Sequence, residues 1–218
     1  MTLYIVGAGA HGRVVADILR SRGLTIDGFL DDDGGLYGAC VAGFTVIGGT
    51  EILLKATEAS GVQVIVALGN APLRLQISEK LNELGYHLIN AVHASAVVSP
   101  STQIGFGVSI CAAAVVNPDA RIGNAVIINT GATIDHDCQI EDGAHLSPGV
   151  HLAGRVQVGR LSFLGVGVSV IPRVSIGAGS IIGAGAAVVK DIPPGVLALG
   201  VPARVVRKLD QVDWRRLL

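Results

Sequence analysis

IGNAVIINTGATIDHDCQI, residues Ile122–Ile140, decides the fold of this chain. An aliphatic residue returns at every sixth position (Ile122, Ile128, Ile134, Ile140), and a small or β-branched residue follows four places after each (Val126, Ala132, Cys138, Ala144). The aliphatic series extends without a miss back through Val116, Ile110 and Ile104 to Val98. It runs forward through Leu146, Leu152, Val158, Leu164, Val170, Ile176 and Ile182 to Val188. A period of six matches neither the 3.6 of a helix nor the alternation of a strand. It is the signature of a parallel β-helix, in which each unit makes one flat side and one corner of a prism. Three units close a coil of eighteen residues, so the run supplies about five coils stacked roughly 4.8 Å apart. Glycine often follows the aliphatic residue (Gly105, Gly123, Gly159, Gly165, Gly177, Gly183), which suggests corners with dihedrals only glycine accepts readily.

Composition agrees with a dry, narrow core. Half of the 218 residues are hydrophobic and only 4% are aromatic. The mean hydropathy of +0.59 belongs to this core, because glycines break the long uncharged runs before they reach the length of a spanning helix. No membrane insertion is expected. A net charge of −1, without a basic patch interleaved with aromatics, gives no reason to expect a nucleic-acid partner. Cys40, Cys111 and Cys138 are odd in number and lack ligand spacing, so no metal site is expected. The chain enters a strand at once, without the pattern of a secretion signal, and a reducing cytoplasm is the expected location.

The first ninety or so residues read differently. Leu3–Val6 is a short strand that runs into Gly7-Ala-Gly-Ala-His-Gly12, and a helix with Val14, Val15, Ile18 and Leu19 at helical spacing follows over 13–22. Glycines let backbone approach a phosphate, and the helix N-terminus favours its charge. A second strand over 26–30 ends in Asp31-Asp32-Asp33, where a carboxylate can accept from a ribose or base. A third, over 62–68, ends in Gly69-Asn70 before a helix over 73–84 and a strand near His87. This is half of a dinucleotide fold, so one nucleotide is the expected ligand. His87 and His93 are expected to be solvent-facing or capping.

Within the prism, Asp135-His136-Asp137 is the unusual corner. A carboxylate on one ring nitrogen fixes the tautomer and raises the basicity of the other, as a general base requires. Eighteen residues on stands Gly154, so no side chain lies over the imidazole and a ligand has room along the edge. His145 and His151 read as corner residues, His145 within reach of the same groove and His151 as a surface or subunit contact. Prolines after Lys190 end the repeat. The remaining segment caps the open prism, and its basic tail (Arg207, Lys208, Arg215, Arg216) reads equally as a solvated helix or as cations that meet phosphates.

Gly7–Gly12, Phe29-Leu-Asp-Asp32, Ala67-Leu-Gly-Asn70 with Arg74, Asn129-Thr130, Ile134-Asp-His-Asp-Cys138 and Gly200-Val-Pro-Ala203 together resemble the NeuD/PglD family of sialic-acid O-acetyltransferases and nucleotide-amino-sugar N-acetyltransferases. The resemblance implies a Rossmann-like half-domain that binds nucleotide sugar (1–93), a left-handed β-helix acyltransferase domain (94–192) and a C-terminal cap (193–218). It implies His136 as base and Asp137 as its support, although relatives carry Glu there and Asp135 is an alternative. Gly9, His11, Asp31, Asp32, Gly69 and Asn129 would line the sugar-nucleotide pocket. His145, Gly154, Val166 and Ala184 would line the groove for acetyl-CoA. The family forms homotrimers with active sites between subunits. The expected reaction is direct N-acetylation of a UDP- or GDP-linked amino sugar. Its rival is O-acetylation of sialic acid or another hydroxyl; a dehydrogenase, a nucleotidyltransferase and a non-catalytic scaffold are more distant readings.

Overall fold

A computed structural model describes residues 2–56 and 59–209; Arg215 and Arg216 lie outside them. The chain forms an α/β unit followed by a left-handed parallel β-helix. In the α/β unit, β1 (Thr2–Val6), α1 (Ala10–Ser21), β2 (Gly28–Leu30), β3 (Cys40–Val41), β4 (Phe44–Gly48), α2 (Glu51–Leu54), β5 (Val62–Val66), α3 (Ala71–Glu83) and β6 (His87–Leu88) follow in order. The sheet order is β3-β4-β2-β1-β5-β6, parallel except for the β3–β4 hairpin. Val15, Ile18 and Leu19 of α1 bury against Leu3, Ile5 and Phe29 of the sheet, as their helical spacing requires. The hairpin and α2 extend the sheet beyond β2, over a segment to which the sequence reading assigned no element.

In the β-helix, three faces recur in turn. The first carries two-residue strands at Ala91–Val92, Ser109–Ile110, Ile127–Ile128, His145–Leu146, Phe163–Leu164 and Ile181–Ile182. The second is built around Thr133–Ile134 and the third around Gln139–Ile140. Both sixfold series point inward and form one continuous core from Val108 to Ala203, with Val98 and Ile104 partly buried at its open end. Cys138 is fully buried there, and its thiol donates to the Ala153 carbonyl at 3.2 Å. The hairpin Val196–Leu199 with Arg204–Lys208 closes the other end, joining the first face beside Ile181–Ile182. Arg207 and Lys208 therefore lie on a strand, not the expected helix: Val205 and Val206 beside them suit an extended edge.

The glycines after the aliphatic positions serve a different purpose from the one expected. None of those six has a left-handed φ; the left-handed corner falls two residues later, at positions such as Ala113, Asp137, Gly143 and Arg155. Gly159 and Gly165 are glycine because the next coil lies too close, and a Cβ would meet the Ala178 and Ala184 nitrogens at 2.5 and 2.7 Å. Crowding between coils, not dihedral freedom, selects them.

The α/β unit sits on the first face. The outward residues Ser109, Ile127, His145, Phe163 and Ile181 are all buried, whereas His151, Ser169, Arg121, Gln139 and Gln157 on the other faces are exposed. Arg74, in the first turns of α3, joins the two parts. Fully buried, its guanidinium donates to the carbonyls of Leu68 and Gly69 at the end of β5 and to those of Ala125 and Gly143 on successive prism corners. Burial lowers its pKa to about 9, which leaves it charged at neutral pH.

Candidate functional site

Each glycine of the turn after β1 answers a separate demand. Gly7 holds φ at +104°, and a Cβ on Gly12 would strike the Gly7 carbonyl, so strand and helix pack closely only without side chains. Gly9 is different: a Cβ there meets nothing within 4 Å, and the backbone faces open space. The Asp31 carboxylate holds the turn from β2, accepting from the N–H of Ala8 at 2.7 Å and of Asp33 at 2.9 Å. Gly9, His11, Asp31, Gly69, Asn129 and His145 line one cavity of about 440 Å³, walled on one side by the strand ends and on the other by the prism. Five of the six residues expected to hold the nucleotide sugar thus come together. Asp32 does not join them; it accepts from the Thr50 N–H at 2.7 Å and anchors the loop before α2.

His145 is buried and His11 partly buried in that cavity's wall, and the buried atoms His11 Nε2 and His145 Nδ1 have no hydrogen-bond partner among the described residues. Burial, reinforced by the Arg74 charge, lowers their pKa values to about 4 and about 3. Both rings are neutral at physiological pH and offer polar atoms to a ligand. His145 stands edge-on to Phe163, with centroids 5.0 Å apart.

Asn129 and His145 also border a second groove of about 500 Å³, whose floor includes Phe163, Gly165, Val166, Ile181, Gly183, Ala184 and Leu199. This mainly apolar channel runs along the edge between the first and second faces and suits an extended, flexible chain. Val166 and Ala184 lie in it; Gly154, expected to line the same groove, does not, because it sits on the edge between the second and third faces. His145 is on a strand of the first face rather than at a corner, and therefore lines both this groove and the cavity beside Gly9 and does not share a groove with His136 as expected.

His136 lies on the edge between the second and third faces, away from the face covered by the α/β unit. Its column at eighteen-residue spacing is Pro100, Pro118, His136, Gly154, Pro172. Proline suits these corners because the backbone nitrogen there has no partner in the ladder. His136 breaks the column and gives its N–H to Asp135 Oδ1 at 2.8 Å. Gly154 breaks it too, and among the described residues its N–H has no acceptor. A Cβ on Gly154 would lie 2.5 Å from His136 Nε2, so the imidazole itself occupies the space that the missing side chain leaves. The sequence reading had reserved that space for a ligand.

Asp137 accepts from His136 Nδ1 at 2.8 Å, which leaves Nε2 as the lone-pair nitrogen. Hydrogen bonds from His136 and then Arg155 hold the Asp137 carboxyl below the usual carboxylate range. Asp135 is turned away, binding the His136 N–H and Asn117 Nδ2. Asp137, not Asp135, supports the ring. About half of the His136 side chain is exposed (53%), open to a partner along the edge. Arg155 was missed in the sequence; its place eighteen residues after Asp137 was the available signal. Among the described residues, no three His, Cys, Asp or Glu side chains converge as metal ligands, and no helix is long and apolar enough to cross a membrane.

Comparison with known proteins follows this geometry. The profile of the PglD N-terminal domain matches residues 2–81. A UDP-N-acetylbacillosamine N-acetyltransferase of Bacillus subtilis is 40% identical over 110 residues, 50% of this chain and 50% of that protein. The chain spans half or less of the length of the curated relatives it matches. A histidine-to-asparagine variant of perosamine N-acetyltransferase from Caulobacter crescentus, solved with CoA and GDP-perosamine, superposes with a TM-score of 0.90 at 42% identity, covering 95% of this chain and 98% of that one. The acetyltransferase domain of PglB from Neisseria gonorrhoeae, solved with acetyl coenzyme A, gives a TM-score of 0.88 at 39% identity over 94% and 98% of the two chains.

Proposed function

The chain belongs to the NeuD/PglD family of hexapeptide-repeat sugar acetyltransferases, and we propose that it transfers an acetyl group from acetyl-CoA to the amine of a UDP- or GDP-linked amino sugar. The nucleotide lies against Gly9 and the ends of β1 and β5, with His11 and Asn129 meeting its polar groups. The pantetheine arm follows the apolar groove past Val166 and Ala184. His136 Nε2 removes the amine proton as nitrogen attacks the thioester carbonyl, and the Gly154 N–H faces the oxygen that gains charge. The thiolate leaves with the proton that His136 returns. Among the described residues, the serine bonded to a histidine, Ser95 to His93 Nδ1 at 2.8 Å, lies outside both the cavity and the apolar groove, so transfer is taken as direct.

One observation carries this reading: an accessible imidazole whose Nδ1 is bonded to Asp137 and whose Nε2 lies at the position a Gly154 side chain would fill, beside a glycine whose N–H has no acceptor among the described residues. The relatives named with nucleotide-linked amino sugars favour nitrogen over oxygen as the acceptor.

The nucleotide cavity lies against the first face, and His136 is on the edge opposite that face. A single chain therefore keeps its base and its nucleotide pocket apart. A second copy brings them together when its groove edge, at Val166 and Ala184, lies along the His136 edge of the first. The second face, between these two edges, carries Val97 (63% exposed), Thr133, His151 and Ser169, and no charged carboxylate or guanidinium interrupts this series. We place the subunit contact there and close it as a trimer. Both substrates are cytoplasmic metabolites, and we assign the reaction to that compartment.

The test is incubation with acetyl-CoA and a panel of UDP- and GDP-linked amino sugars, read by mass. One panel member should gain a single acetyl unit with stoichiometric thiol release. Acetylation of hydroxyl acceptors alone would replace N-transfer by O-transfer, and CoA release without any acetylated product would contradict both.

A further inference from the structure

The corner of His136 carries a column of charges that the reaction as described does not use. One residue beyond the Pro–His–Gly column, Asp119, Asp137, Arg155 and Arg173 stand above one another at eighteen-residue spacing, all left-handed, with φ between +62° and +64° except Asp137 at +59°. This conformation aims each side chain along the prism edge. Arg155 therefore stands over Asp137, and its Nε donates to Asp137 Oδ2 at 3.3 Å, the same oxygen that accepts His136 Nδ1 at 2.8 Å. A half-exposed aspartate has free rotamers of its own. Two donors converging on one oxygen from different coils remove that freedom.

We propose that Arg155 is a positioning residue of the His136–Asp137 pair, holding the carboxylate under Nδ1 and offsetting the negative charge that would otherwise favour the protonated ring. The inference rests on His136 being the base. The charged groups around the imidazole are Asp135, bonded to its backbone N–H, Asp137, Asp119 one coil below Asp137, and Arg155 and Arg173 above. Without Arg155, Asp137 contacts the ring with no cation bonded to it, and Asp119 and Asp135 add negative charge nearby. The imidazolium then becomes easier to form, and less of the enzyme carries a free Nε2 at neutral pH.

The experiment is an NMR titration of the His136 ring in the full chain, its signal assigned by loss in His136→Ala, alongside steady-state kinetics. In Arg155→Ala and Arg155→Gln the midpoint should move up, and Arg155→Lys should bring it back by restoring charge. At pH 7, kcat for Arg155→Ala should fall several-fold, KM for both substrates should stay within about twofold, and the acid limb of the pH profile should shift with the midpoint. In an Asp137→Ala background, Arg155→Ala should have a clearly smaller effect than in the parent. An unchanged midpoint in Arg155→Ala would overturn the inference. So would a raised KM for acetyl-CoA with kcat and midpoint intact, which would make Arg155 a phosphate ligand. The titration needs no turnover, so an inactive parent would count against the proposed reaction and leave this result readable.

Discussion

At Gly154 a single hydrogen in place of a methyl group decides where an imidazole lies. Its φ is not left-handed, so Gly154→Ala adds no backbone strain; the added Cβ, 2.5 Å from His136 Nε2, pushes the ring aside. We expect this variant to fold with an unchanged melting temperature and to lose at least about tenfold in kcat, because a displaced base no longer reaches its proton. His136→Ala should cost about 10²–10⁴-fold in kcat, the usual range for a general base, with assembly intact by gel filtration. Near-normal turnover in either variant would remove His136 from the chemistry. His136 was legible in the sequence because carboxylates flank it. Which carboxylate supports it was not, because the answer depends on the left-handed corner at Asp137 that turns its oxygens toward Nδ1. The proline column interrupted only by His136 and Gly154 was a sharper signal that a reading in steps of eighteen would have found.

The coils themselves were legible at the level of the element, since a strict period of six leaves no other way to bury every aliphatic residue. The docking of the α/β unit was not, because it depends on one long side chain meeting backbone atoms far away in sequence. Arg74 has neutral carbonyls as its partners, two from the end of β5 and two from the corners at Ala125 and Gly143. No pattern of side chains announces such a contact. Arg74→Met removes a buried hub and leaves those carbonyls without donors, so it should destabilise the protein by roughly 3–5 kcal/mol in denaturant melts. Since Leu68 and Gly69 border the nucleotide cavity, nucleotide-sugar affinity should fall with it. A variant as stable as the parent would show that other contacts dock the unit. The β3–β4 hairpin escaped the sequence reading for a related reason: its strands are short, and Cys40, Thr45 and Ile47 are solvent-exposed, so no apolar run marks them.

For the molecule as a whole, two neutral histidines in the cavity wall set the response to acid. The folded values of about 4 for His11 and about 3 for His145 lie below the ordinary 6.5, so the unfolded chain binds protons that the folded one refuses. Stability from this source is intact above pH 6.5 and falls as pH drops from there toward 4, by up to about 1.4 kcal/mol per pH unit for each ring. Thermal melts between pH 8 and pH 5 should show that slope, and His145→Gln should flatten it. An equal slope in the variant would assign it to other groups. The same two rings wall the cavity, whereas His136 stands on the far edge of the prism, and under the proposed reaction this separation makes the active site a property of the assembly. The measurement that tests this most directly is subunit mixing. His136→Ala lacks the proposed base, and Gly9→Trp projects a bulky ring into the cavity from a position where an added Cβ meets nothing within 4 Å. Each should be inactive alone. Unfolded together and refolded at equal amounts, they should recover about a quarter of parent activity, the share of contacts that pair an intact base with an intact cavity. Mixed oligomers that form and remain inactive would place base and cavity in one chain and contradict the account.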